Sequence, residues 1–135
     1  MTVQLARREA ALALLALLAG VAALIVTLST RPSTRKLPAP VGSYEALAGS
    51  RPASTFAQRT VCGTPVDAAT QGVSHPVLPC GMRVYITYRD RTALTQVISH
   101  APTSPDAQFI LTQRLAQRLG LAGVQTIRWS YAAAG

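Results

Sequence analysis

Carboxylates are scarce in this chain: only five of its 135 residues are Asp or Glu, against thirteen Lys and Arg, and the formal net charge is +8. Four of these acids lie beyond residue 30, and they are Glu45, Asp67, Asp90 and Asp106. Two-acid glycoside hydrolysis needs a pair of carboxylates placed across a cleft, so this composition leaves little room for it. The excess of cations predicts either a solvated basic surface or attraction to an anionic partner such as a cell wall or lipid headgroups.

Several motifs that carry chemistry are also missing. The sequence contains no GxSxG, no HExxH and no glycine loop that would cradle phosphate. It has no CxxC pair, so it predicts neither a redox centre nor a metal site, and no cofactor. Its basic residues are scattered and are not interleaved with aromatics, so nucleic acid is not an expected partner.

Charge is absent from one long segment. No charged residue occurs between positions 10 and 30, and the first seventeen residues of that segment are Ala, Leu, Val, Ile and Gly only. This length predicts a transmembrane helix over residues 10–30, after a short tail at 1–9, with the lipid bilayer as its partner. Cleavage after Ser29 is the alternative, because Thr27 and Ser29 are small; the apolar run exceeds the roughly 7–15 residues of a signal peptide and favours an uncleaved anchor.

The orientation of that segment depends on the two cysteines. Arginines lie on both sides of it, so the distribution of positive charge does not decide the question. Cys62 and Cys80 both lie after the segment, and a disulfide between them is expected outside the cytoplasm. The sequence therefore predicts a single-pass membrane protein whose C-terminal domain is extracytoplasmic.

The rest of the chain divides into a linker and one small domain. Residues 31–52 are rich in proline near their start and predict an extended linker, within which residues 41–50 form either a short helix or more linker. Residues 53–131 predict the folded domain, and residues 132–135 a tail.

Within the domain the hydrophobic pattern is mainly that of short strands. Alternation predicts strands at residues 53–56, 73–75, 82–88, 93–99, 109–111 and 124–131. Leu111, Leu115 and Leu119 recur at helical spacing, with Thr112 as a possible cap and Gly120 at the end, so one short helix is predicted there. The fold class is therefore mainly β, a small barrel with one short helix.

Few polar residues of the domain are candidates for chemistry. Each of Asp67, Asp90 and Asp106 lies in a turn, where a carboxylate commonly accepts local backbone hydrogen bonds. His75 precedes a proline and is either structural or catalytic, and His100, which follows the predicted strand 93–99, is a weaker candidate.

Several stretches resemble the rare lipoprotein A family. They are "ASTF", "TVCG", "SHPVLPCGMRVYITY", "TQVISHAP", "FILTQRLAQRLGL" and "GVQTIRWSY", and they span residues 53–131. The resemblance implies a double-psi β-barrel, related to expansins and barwin-like proteins. Some members of the family are septal lytic transglycosylases that act on peptidoglycan.

The resemblance also implies which residues would form the site, and here the sequence departs from the family. His75 matches the family histidine. The catalytic aspartate belongs to a motif Asn-Asp-Arg-Gly-Pro, but this chain has "ISHAP", so that Ser99 stands at the aspartate position and His100 at the arginine position. A second family aspartate falls on Ile110. A serine hydroxyl cannot act as the general acid, because its pKa is far too high.

Three functions follow as hypotheses. The first is a barrel that binds peptidoglycan glycan or an envelope partner without catalysis, through a groove at His75, Ser99, His100 and Asp106. The second is an active lytic transglycosylase that uses Asp106 or Asp67. The third is a structural module whose partner is another cell-envelope protein.

Overall fold

The computed structural model describes residues 36–134. The predicted membrane segment at 10–30, the tail at 1–9 and the alternative cleavage point after Ser29 lie outside these residues. Within residues 36–134 no helix is both long and apolar enough to cross a bilayer.

The described residues form a closed barrel of six strands. The strands are β1 (Pro40–Arg51), β2 (Val73–Ser74), β3 (Arg83–Tyr88), β4 (Arg91–Ser99), β5 (Phe109–Thr112) and β6 (Gln125–Ala132). Their order around the barrel is β1-β5-β2-β4-β3-β6. The pairs β1/β5 and β2/β4 are parallel, and the other four neighbouring pairs are antiparallel. The prediction of a small, mainly β barrel with one short helix is confirmed.

Strand β1 corrects the predicted boundary between linker and domain. The sequence predicts linker up to residue 52, but residues 40–51 pair with β5 on one side and β6 on the other. Ala46 and Ala48 face the core, and both are buried. Small side chains suit this position because the barrel interior is already filled by larger residues from the other strands. By contrast, Ala53–Thr55, where a first strand was predicted, is one turn of 3-10 helix.

The β3–β4 hairpin follows the sequence pattern closely. Val84, Ile86 and Tyr88 are buried, as the alternation of β3 predicts. Arg89 has a φ of 55° in the turn, which brings the two strands back into antiparallel register. These side chains pack with those of β5 and β6 in the main core of the barrel.

The helix α1 (Gln113–Leu119) also forms where its spacing predicts. Leu115, Ala116 and Leu119 are its buried residues, and it ends at Gly120 in the left-handed region, with a φ of 71°. Thr112 stands at the N-cap position, but its hydroxyl makes no cap hydrogen bond. That hydroxyl instead accepts the backbone N–H of Gly72 at 3.2 Å, which ties the start of the helix to the residue before β2.

Cys62 and Cys80 form the predicted disulfide, with their Cα atoms 5.4 Å apart. The bond joins the loop after the 3-10 turn to the turn that precedes β3. This second turn immediately follows His75 in sequence, so the disulfide also restrains the chain around the histidine.

Replacement of both cysteines tests this contribution. We expect Cys62→Ser/Cys80→Ser to lower the free energy of unfolding by about 3 kcal/mol, because the closed loop restricts the unfolded chain. Urea denaturation measures the difference, and the wild-type chain under reducing conditions is the control that should give a similar loss. Two free thiols in the denatured, unreduced wild-type protein would contradict the disulfide itself.

Candidate functional site

His75 lies at the end of β2 and is 9% exposed. Its backbone N–H donates to the carbonyl of Ser99 at 3.1 Å, which extends the parallel pairing of β2 with β4. Its ring packs against Phe109, with the ring centroids 4.7 Å apart. The imidazole is therefore fixed by the sheet on one side and by the core on the other.

The ring nitrogens of His75 have a defined role. Nδ1 accepts the backbone N–H groups of Val77 and Leu78, each at 3.1 Å. Because both partners are donors, Nδ1 carries no hydrogen, and the proton of the neutral ring is on Nε2. Burial lowers the pKa of His75 below 6.5, and the nearby His100 lowers it further. The neutral ring that organises the turn is thus also the favoured form.

Ser99 and His100 are adjacent at the end of β4 and contact different segments. Ser99 is 3% exposed, and its hydroxyl accepts the N–H of Ala101 at 3.1 Å. The Nε2 of His100 lies 2.9 Å from the carbonyl of Leu78 and 3.9 Å from the sulfur of Cys80. A carbonyl only accepts, so His100 donates from Nε2. Three of the four predicted groove residues are therefore close together, and all three make hydrogen bonds to backbone atoms.

Asp106, the fourth predicted groove residue, lines a different depression. This depression has a volume of about 440 Å³ and is shared with Glu45 and with Pro76, the residue after His75. Asp106 is exposed. In the hydrogen bonds found among residues 36–134, neither histidine has a carboxylate partner.

The other carboxylates occupy the turns that the sequence predicts. Asp67 accepts the N–H of Ala69 at 2.8 Å and the hydroxyl of Thr70 at 3.2 Å, which is a local turn. Asp90 lies in the β3–β4 turn beside Arg89. Neither arrangement places a proton donor next to His75.

Three potential metal ligands also meet near this turn. One donor atom from each of Cys62, Cys80 and His100 lies within 4.8 Å of the others. Both sulfurs are joined in the disulfide, however, and the thiolate form is the one that binds metal. In this oxidised state the cluster offers only the imidazole of His100, whose Nε2 already donates to Leu78, so these three residues do not form a metal site.

An aromatic cleft on another side of the barrel was not predicted. It has a volume of about 500 Å³. Its lining residues come from β3 and β4 (Tyr85, Thr87 and Thr92), from β6 (Arg128, Trp129 and Ser130) and from the start of β1 (Pro40, Gly42 and Ser43). Tyr44 packs on Trp129 with ring centroids 4.8 Å apart. The hydroxyl of Tyr85 donates to the carbonyl of Pro38, which holds the start of the described chain beside the cleft.

The sequence contained part of the signal for this cleft. Alternation in β3 places Tyr85 and Thr87 on the face opposite Val84, and the structure confirms that they are less buried. The sequence does not predict the cleft because it places residues 40–51 in the linker. Without β1, the residues that border the cleft opposite Tyr85 are missing.

Comparison with known proteins supports the fold. No protein-family model matches the sequence, and no curated protein matches it. Among solved structures, the chain is similar to the Streptomyces papain inhibitor, with a TM-score of 0.54 and 23% sequence identity. The match covers 73% of this chain and 100% of the inhibitor. At this level of identity the likeness is one of fold alone.

The hydrogen bonds of His75 predict how its replacement affects stability. We expect His75→Ala to lower the free energy of unfolding by about 1–2 kcal/mol, because two backbone N–H groups lose their acceptor. Since the folded pKa lies below the unfolded value of 6.5, the unfolded chain binds more protons as the pH falls through that range. The contribution of the neutral His75 ring to the free energy of unfolding is therefore fully present above pH 6.5, and it is lost as the pH falls through the pKa of His75 in the folded protein.

Urea titrations at a series of pH values measure both effects. His75→Gln should remove this part of the pH dependence, whereas His100→Gln, the control, should keep most of it, because burial of His75 is the larger cause of the shift. Equal pH dependence in the wild type and His75→Gln would show that His75 does not carry it.

Proposed function

We propose that this chain is an extracytoplasmic protein, anchored to the cell membrane by its N-terminal apolar segment, that binds peptidoglycan glycan without cleaving it. The observation that carries the proposal is the aromatic cleft, combined with a histidine whose hydrogen bonds are all structural. The resemblance to the rare lipoprotein A family supplies the class of ligand.

The topology supports a finer description of the fold. A closed six-stranded barrel with two parallel pairs, β1/β5 and β2/β4, is the arrangement expected of a double-psi barrel. The parallel partners are well separated in sequence, as parallel pairing requires, since residues 52–108 lie between β1 and β5 and residues 75–90 lie between β2 and β4. We infer that the domain is a double-psi barrel of the rare lipoprotein A type.

The geometry around His75 favours binding over catalysis. A lytic reaction needs a general acid within hydrogen-bonding reach of the glycosidic oxygen. At the family position of that acid, Ser99 is buried and its hydroxyl accepts a backbone N–H. Asp106 and Asp67 lie in other depressions, so the alternative enzyme would need a site different from that of the family.

The aromatic cleft has the chemistry of a sugar-binding surface. A pyranose ring has apolar C–H faces and a rim of hydroxyls, so it is complementary to aromatic rings flanked by short polar groups. Tyr85 supplies an aromatic ring, and Thr87, Thr92 and Ser130 supply hydroxyls on the same outer face; the ring of Trp129 lies on the opposite face, against Phe109, so Trp129 borders the cleft from behind. The cleft lies beside the start of β1, and a glycan bound there would lie near the linker to the proposed membrane anchor.

Three features support the proposed location. The uncharged segment at 10–30 is long enough to span a bilayer. The disulfide is the oxidised state expected outside the cytoplasm. The positive charge of the chain favours attraction to anionic components of an envelope.

Trp129 makes glycan binding directly measurable, because it is the only tryptophan of the chain. We expect soluble peptidoglycan fragments to shift its fluorescence in a saturable way in the full-length protein. Tyr85→Leu should weaken binding about tenfold, because it removes a ring from the cleft. Tyr85→Phe, the matched control, keeps the ring and loses only the bond to Pro38, so it should bind almost as the wild type does.

Two further readouts decide between the hypotheses. Anhydro-sugar products after incubation with intact peptidoglycan would show that the protein is an enzyme and would overturn the non-catalytic proposal. No fluorescence change and no cosedimentation with peptidoglycan at low salt would instead favour a protein of the envelope as the partner.

A second candidate function is inhibition of a papain-like protease. The Streptomyces papain inhibitor has a similar fold, and the chain covers its full length. Val61 and Val77 are 74% and 80% exposed on the two loops that the disulfide joins. Exposed apolar side chains on a braced loop can enter the cleft of a protease with little loss of conformational entropy.

Papain itself tests this candidate. If the likeness extends to function, the full-length chain should inhibit papain at a stoichiometric ratio, and Val61→Asp/Val77→Asp should weaken inhibition by about tenfold or more. Val124→Asp is the control, since Val124 is also exposed but lies far along the sequence, before β6. Full papain activity in the presence of excess protein would rule the candidate out for this protease.

A further inference from the structure

Helix α1 has a cationic outer face with an unusual arrangement of charge. Arg114 and Arg118 are both exposed and are four residues apart, so they lie on the same side of the helix. Like charges at this spacing repel, and Arg114 also stands in the first turn, where the helix dipole disfavours a cation. The first turn contains no acidic residue that would compensate. Local helix chemistry therefore does not explain Arg114.

Neighbouring residues hold this face in place. The guanidinium of Arg118 donates to the side-chain oxygen of Gln71 at 3.1 Å. Arg91 of β4 donates to the backbone carbonyl of Arg118 at 3.3 Å. Three guanidinium groups from α1 and β4 are thus gathered at one part of the surface, and two of them are fixed by hydrogen bonds.

Three surface depressions join along this face into one track. The central depression, of about 340 Å³, is lined by Gln71, Arg114, Gln117 and Arg118. A second shares Arg114 and Gln117 with it, and a third shares Gln71 and extends to Arg83 and Gln96. The central depression is lined entirely by guanidinium and carboxamide side chains. It therefore differs in chemistry from the aromatic cleft.

The charged side chains along the track are mainly cationic. Asp67 is the acid that borders it, in the second depression, and the carboxylate already accepts hydrogen bonds within its own turn. With Arg83, Arg114 and Arg118 lining the three depressions against this one carboxylate, the track carries an excess of positive charge.

We propose that this track binds an extended anionic polymer of phosphodiester-linked polyol units. Guanidinium groups pair with phosphate oxygens, and carboxamides both donate to and accept from polyol hydroxyls. A polymer fits better than a single phosphate group, because the cations and carboxamides are distributed over three contiguous depressions. This proposal concerns a different surface and does not rest on the proposed binding of peptidoglycan glycan.

Calorimetric titration of the full-length chain with poly(glycerol phosphate) tests the proposal. Arg114→Gln/Arg118→Gln should weaken binding by about tenfold or more, because two charge-assisted contacts are lost. It should also reduce the slope of log affinity against log salt by about two, one for each phosphate contact. The control Arg59→Gln/Arg89→Gln removes the same net charge elsewhere and should change affinity by much less.

Stability and ligand controls separate the remaining explanations. Arg114→Gln alone should have a melting temperature equal to or above that of the wild type, because an unfavourable charge is removed, and should still bind the polymer more weakly, so that its loss of binding would not reflect unfolding. Equal weakening by the two double variants, or no binding by the wild type, would overturn the proposal. Equally tight binding of monomeric glycerol phosphate, or of single-stranded DNA with the same number of phosphates, would overturn the assignment to an extended polyol polymer.

Discussion

The pairing of β1 with two strands at once is the constraint on which the rest of the structure depends. Strands β5 and β6 would each expose an unpaired edge if β1 were absent, and the barrel would open. The same strand buries Ala46 and Ala48 in the core and packs Tyr44 against Trp129. Strand β1 therefore both closes the barrel and borders the aromatic cleft, which explains why the sequence predicts the barrel but not the cleft: residues 40–51 read as linker.

Within the closed barrel, the turn after β2 is held in place by histidine and cysteine side chains, which are residue types that can also carry out catalysis. His75 accepts two N–H groups of this turn, His100 donates to its carbonyl, and Cys80 links it to Cys62. A general acid–base residue must exchange protons with a ligand, whereas a residue that holds a turn must keep one protonation state. The lowered pKa of His75 suits the second role near neutral pH, because the ring stays an acceptor.

Sequence patterns predicted the elements in which side-chain periodicity is strong. The alternation of β3 and the leucine spacing of α1 correctly identified which residues are buried, since each pattern reflects one face against the core. Strand β1 has alanines where larger apolar residues would mark a strand, so composition suggested a linker. The proximity of His75 to Ser99 followed only from the family resemblance, because their contact joins strands that are distant in sequence. The arginine track needed the fold, since Gln71 and Arg118 meet only across it.

The features that best indicate binding are those that the fold does not require. Arg114 opposes the helix dipole, at a cost of about 0.3–1 kcal/mol, and Tyr44 and Val77 leave apolar surface in water. A domain of this size has a modest core, so such costs need compensation elsewhere. The disulfide contributes about 3 kcal/mol by the loop-entropy argument, more than any one of these penalties. The disulfide between Cys62 and Cys80 thus stabilises the barrel. This stability offsets the cost of surface residues that do not stabilise the fold and that we infer to bind ligands.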